Sequence, residues 1–164
     1  MQTGFAGGLN VYRVMAHHPA LLKSWASLRA HVVQGNTLNS RQLEFVILRI
    51  GHRWASAYEW AHHVVRGRAA GLTERDIELA RSPASAWPAA SLEAALMGAV
   101  DQLLDDGMLS PDMLQGLIDR IGVAGVMDIM ATVGMYSTLA FIVKTFDTPL
   151  DSGVAPDGPP SAVK

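Results

Sequence analysis

The chain has 164 residues, a formal net charge of -2 and no cysteine. That length fits one ordinary domain with its own core, and the lack of cysteine excludes disulfides, thiolate metal sites, iron–sulfur clusters and a cysteine nucleophile. Apolar residues make up 49% of the sequence but charged residues only 17%, against a usual charged share of roughly 25%, so part of the surface is expected to lie hidden between subunits of a homo-oligomer.

The 13 Lys and Arg residues are dispersed among 15 Asp and Glu residues, with no basic run. Such a pattern does not neutralise a row of phosphates and argues against a nucleic-acid partner. The first ten residues, MQTGFAGGLN, carry no basic segment ahead of an apolar one, and the expected location is the cytoplasm. The longest uncharged apolar run, Ile129 to Val143, has 15 residues, short of the roughly 20 that span a bilayer. It reads as a buried or interface helix, and no membrane partner is expected.

Helical signals recur in chain order and no strand pattern competes with them, so the fold class is all-α, a single domain of about seven or eight helices. A short helix runs from Asn10 to His18, where Pro19 ends it and opens a second one to about Val33. QGNTLNSR breaks the pattern. Asn39 with Gln42 forms a capping box for a helix through Trp54. The next helix, about Tyr58 to Ala70, stops at Gly71 in the left-handed region, and Thr73 with Asp76 caps a short one after it. SPASAWPAAS is a linker within the domain. Helices follow over about Leu92–Asp105, from a Ser110 cap to Ile121, and over Val123–Phe146. The domain is read as residues 1–150, and the Pro/Gly-rich remainder, 151–164, has the composition of a disordered tail.

On a wheel of about 100° per residue, Leu43, Val46, Ile47, Ile50 and Trp54 share one apolar arc with Glu44 at its edge. A carboxylate in that company is costly unless paired or protonated, so Glu44 is either a structural group bonded to a neighbouring helix or a group for proton transfer. The next helix carries Ser56, Glu59 and His63 within about 60° of one another, while Tyr58 and His62 fall on a different arc. Histidine suits proton transfer near neutral pH, and a carboxylate beside it orients the ring. Ala61, Val64 and Val65 form an apolar arc opposite Glu59, His63 and Arg66, which equally fits a solvated face. A metal at Glu44, Glu59 and His63 is not expected, because the spacing matches neither Glu-x-x-His nor His-Glu-x-x-His. His17, His18, His31 and His52 read as surface or satisfied residues.

Glu44, eleven residues, Ser56, two residues, Glu59, three residues and His63 resemble the motif of the carboxymuconolactone decarboxylase and alkyl hydroperoxidase D superfamily, in which the Ser56 and Glu59 positions hold cysteines. SAYEWAHHVVRGRAAGLTERDI is similar to that family's core in its cysteine-free branch, and the flanking NVYRVMAHHPALL, AVDQLLDDGMLS and VGMYSTLAFIVKTF extend the likeness over about residues 9 to 151. With Ser56 and Glu59 in place of redox thiols, disulfide peroxidase chemistry is excluded. Glu44 and His63 remain.

The resemblance implies a cofactor-free helical domain assembled as a homotrimer or homohexamer, with a small-molecule site between the two motif helices. The expected activity is that of a lyase removing carbon dioxide from a small lactone or keto acid. His63 would be the general acid/base, with Glu59 or Glu44 orienting it. Ser56, Tyr58, Trp60 and Tyr136 are candidates for lining the pocket, and Arg49 or Arg66 for holding an acidic substrate. Two alternatives stand beside this: a lactone hydrolase or isomerase on the same Glu/His site, and a non-catalytic oligomeric binding protein.

Overall fold

Local capping sets most of the helix boundaries. The computed structural model describes residues 8–156, over which the chain forms seven α-helices and no strand. These are α1 (Asn10–Met15), α2 (Pro19–Ala30), α3 (Ser40–Arg53), α4 (Ala57–Ala69), α5 (Glu74–Arg81), α6 (Leu92–Asp105) and α7 (Pro111–Thr145). Asn39 and Gln42 close the capping box of α3, Thr73 and Asp76 that of α5, and Ser110 caps α7, each satisfying backbone donors that the first turn leaves open. Gly71 takes φ 92° after α4, the left-handed stop that glycine permits.

Two boundaries differ from the sequence reading. The first helix ends at Met15, and α2 gives way at Ala30 to a π-helical turn, His31–Gly35. The two expected C-terminal helices meet end to end at Gly122, whose φ of 71° and ψ of 172° are not helical, and together they make up α7. α7 is therefore longer than the apolar run in the sequence and is long and apolar enough to cross a membrane, although 61% of its most apolar window is buried inside the domain.

α3 is the central element, buried continuously from Phe45 to His52 and packed against α4, α5, α6 and α7. A core helix accepts polar groups only where neighbours satisfy them. The SPASAWPAAS linker is pinned to this core: Trp87 meets Phe45 edge-on at 4.3 Å and its indole N–H donates to the Leu79 carbonyl. The α3–α4 connection is only Trp54–Ser56, with Ala55 at φ 48°. Ser56 N–H donates to the Gly51 carbonyl and Ala55 N–H to that of His52, the hydrogen-bond pair of a Schellman stop. Such a short joint makes α3 and α4 a hairpin. The chain beyond α7 stays attached at Asp151, just past the expected domain boundary, where it accepts from the Asn10 N–H and the Tyr58 hydroxyl. The rest of the expected 151–164 tail, from 157 onward, lies outside the described residues.

Candidate active site

The hairpin brings Glu44 of α3 against His63 of α4. Glu44 Oε2 is 2.6 Å from His63 Nδ1, and Glu59, one turn before His63, reaches 3.5 Å from Nε2 with its own Oε2. The two carboxyl groups thus flank opposite nitrogens of one ring. With Nδ1–H donating to Glu44, the Nε2 lone pair is directed at Glu59, in the way an orienting carboxylate fixes the tautomer of a catalytic histidine. Tyr136 of α7 meets the His63 ring edge-on at 5.0 Å.

Burial decides the protonation of this group. His63 is 2% exposed and Glu59 4%. Burial raises the Glu59 pKa to about 8; Arg66 opposes that shift and Glu44 adds to it. Burial also lowers the His63 pKa, against the pull of Glu44. At neutral pH the buried pair therefore holds a protonated Glu59 beside a neutral imidazole. That pairing is suited to exchanging a proton with a bound carbonyl compound.

Glu59, His63, Tyr58, Arg66 and Tyr136 line one cavity, with Leu9, Val11 and Tyr12 completing its wall. Glu44 stands behind His63 and is not part of its wall. The free space is about 20 Å³, room for a water or two. Next to it, the Tyr58 hydroxyl donates to Asp151 at 2.5 Å, and His62 Nε2 lies 2.8 Å from the same carboxylate oxygen. Burial and Asp151 push the Tyr58 hydroxyl well above its ordinary pKa. Burial alone would raise Asp151, but bonds from Tyr58, the Asn10 N–H and His62 hold it below the usual value.

Several sequence candidates sit elsewhere. Arg49 does not reach the cavity: its guanidinium forks onto Asp101 at 2.9 and 2.7 Å and donates to the carbonyls of Ala80 and Ser82. Trp60 is fully buried in the core under the Arg81 guanidinium. Ser56 is fully buried as the cap of α4, with its hydroxyl accepting from Glu59 N–H at 3.4 Å. The solvated face considered for Glu59 and His63 is overturned, and Val65, grouped with the apolar arc, is 52% exposed. Ala61 and Val64 stay buried as expected, so α4 is covered on both sides, with α7 and α1 over the polar one. Tyr12 and Asp151 complete the site without having been singled out in the sequence, and His62, noted there only as sharing an arc with Tyr58, joins them. Among the described residues no group of three or more His, Asp or Glu is disposed to hold a metal ion.

Residues 19–102 match the carboxymuconolactone decarboxylase family. The chain belongs to that family. The matched segment spans α2 to α6 and contains Glu44, Ser56, Glu59 and His63, while Tyr12, Tyr136 and Asp151 lie outside it. No curated protein and no solved structure matches the chain.

Proposed function

We propose that this carboxymuconolactone decarboxylase family member is a cofactor-independent acid/base enzyme, a lyase acting on a small lactone or keto acid. The observation that carries the reading is the Glu44–His63–Glu59 line, with His63 and Glu59 buried and the Glu59 carboxyl, protonated at neutral pH, facing a cavity. Cleavage of the bond to a carboxylate releases carbon dioxide and leaves its electron pair in an enolate. The enolate carbon then takes a proton from the Glu59–His63 pair, and solvent restores it. Glu44 acts as a positioning residue through the Nδ1–H bond, and Arg66 is the cation at the cavity wall for an acidic substrate.

A ring-sized substrate needs more space than the cavity offers, so the proposal requires its wall to open. In this reading the side that opens is α1, which is six residues long and held through Asn10 to Asp151. Assembly as a homotrimer or homohexamer is part of the same reading, supported by apolar residues left exposed along α7, with Val123 at 60% and Met127 at 64%. The test is carbon dioxide release from a panel of lactones and β-keto acids. His63→Ala is expected to cut turnover by about 10² to 10⁴, and unchanged turnover in that variant would remove His63 from the mechanism. Ring opening or isomerisation without carbon dioxide would assign the same pair to a hydrolase or isomerase. The small cavity favours a second reading, a non-catalytic oligomeric binding protein, which predicts no turnover on any member of the panel.

A further inference from the structure

About 140° round α3 from Glu44, a second hollow opens between α3, α5 and α6. It has a volume of about 380 Å³ and is walled by Arg49, His52, Arg53, Arg81, Asp101 and Asp105, within the usual size range for small-ligand sites. Three guanidiniums there face two carboxylates, in a chain whose net charge is negative. Arg49 and Arg53 share Asp101, and Arg53 also pairs with Asp105 at the rim. Arg81 has no such partner. Among the described residues its guanidinium makes no ion pair or hydrogen bond; it lies 4.3 Å over the Trp60 ring with Nε buried and unpartnered. His52, 5% exposed and edge-on to the same ring, has an unpartnered Nδ1, and Trp60 Nε1 is unpartnered too.

Buried polar atoms without partners are uncommon and call for a cause. Here one belongs to the unpaired cation itself, and the other two sit on the Trp60 ring beneath it and on the His52 ring edge-on to Trp60. The local field has a definite sign as well: burial lowers the His52 pKa, and Arg49, Arg81 and Arg53 lower it further. We propose that this hollow is a binding site for a small oxyanion, a carboxylate or phosphate group, held by the Arg81 fork with Arg53 at its side. Planar guanidinium geometry fits such groups in a bidentate manner. The site is separate from the Glu44–His63 cavity and does not depend on the activity assigned to it.

The test is NMR titration of the full-length protein with inorganic phosphate and, separately, malonate, at constant ionic strength set with chloride. The expected result is a saturable shift of the Trp60 indole N–H, with phosphate or malonate binding tighter according to which oxyanion the site takes. Arg81→Gln is expected to weaken binding about tenfold or more. Asp105→Asn, which removes the rim carboxylate, is expected to tighten it severalfold and serves as the test should the Arg81 variant not fold. Shifts that are linear, that chloride reproduces, or that neither variant alters would overturn the proposal. So would the absence of any shift, as when another subunit covers the hollow.

Discussion

The two flanks of α3 both bury charge, and they resolve it in opposite ways. On one flank Arg49 is matched almost donor for donor: two bonds to Asp101 and two to backbone carbonyls. On the other, Glu44 and Glu59 outnumber the single imidazole between them. A matched buried charge stays charged and serves structure. A mismatched one is settled by a proton, and Glu59 keeps its proton to about pH 8. The difference separates a brace from a site: Arg49 is held by fixed ion pairs and carbonyls, whereas the Glu59–His63 pair holds a proton it can exchange.

Removing the brace has the largest expected effect. Arg49→Ala leaves Asp101 with Arg53 alone and strips the Ala80 and Ser82 carbonyls of their donor, at a cost of about 3 kcal/mol or more. That corresponds to a melting temperature lower by about 10 °C, measured by calorimetry, with turnover per folded molecule unchanged. Loss of turnover without loss of stability would reverse the roles of the two flanks.

Glu59→Gln probes the opposite flank. Since folding raises the Glu59 pKa from an ordinary 4.5 to about 8, the contribution of its proton is fully present below pH 4.5 and is lost as pH rises through 8. Over that window the wild type should lose stability relative to Glu59→Gln, at a slope approaching about 1.4 kcal/mol per pH unit. His63, with its pKa lowered by folding, acts in the opposite direction: its contribution is present above its ordinary 6.5 and is lost as pH falls below it. Denaturant midpoints of the two proteins across pH 4 to 9 provide the measurement, and parallel curves would mean that Glu59 is ionised in the fold.

Asp151→Asn tests the strap that closes the cavity. Three donors converge on the Asp151 carboxylate, and its neutralisation should cost about 1 to 3 kcal/mol. Because folding lowers the Asp151 pKa, the stabilisation is present above pH 3.8, so the gap between wild type and variant should shrink as pH falls below that value. If substrate enters past α1, KM should move more than kcat in this variant.

Much of this was legible in the sequence because it is local. Asn39 with Gln42 and Thr73 with Asp76 lie three residues apart, and Gly122 separates two helical patterns. The face of α4 was not legible, since a wheel gives the angle of Glu59 and His63 but not what lies opposite. Tyr136 and Tyr12, from distant parts of the chain, make that face an interior. Arg49 failed for the same reason: far from the apolar arc it reads as solvent-facing, until Asp101 of α6 covers it. Asp151 sits in a segment whose composition carries no structural signal, and only its bonds to Tyr58 and His62 reveal a role.

The smallest effect concerns the joint that places the two motif helices together. Ala55 holds φ 48° in the Schellman stop between α3 and α4, a conformation costing a non-glycine residue about 1 to 2 kcal/mol. Ala55→Gly removes that strain but gives the unfolded chain more freedom, worth about 0.4 to 1 kcal/mol in the other direction. The net expectation is a gain of about 0.5 to 1 kcal/mol, seen as a higher denaturant midpoint with unchanged slope. Since the turn keeps its hydrogen bonds, the distance between Glu44 and His63 should not change and neither should turnover. A lower midpoint would show that the Ala55 methyl group contributes more by packing than its backbone loses by strain. A changed turnover at equal stability would show instead that this strained joint sets the spacing of the acid/base pair.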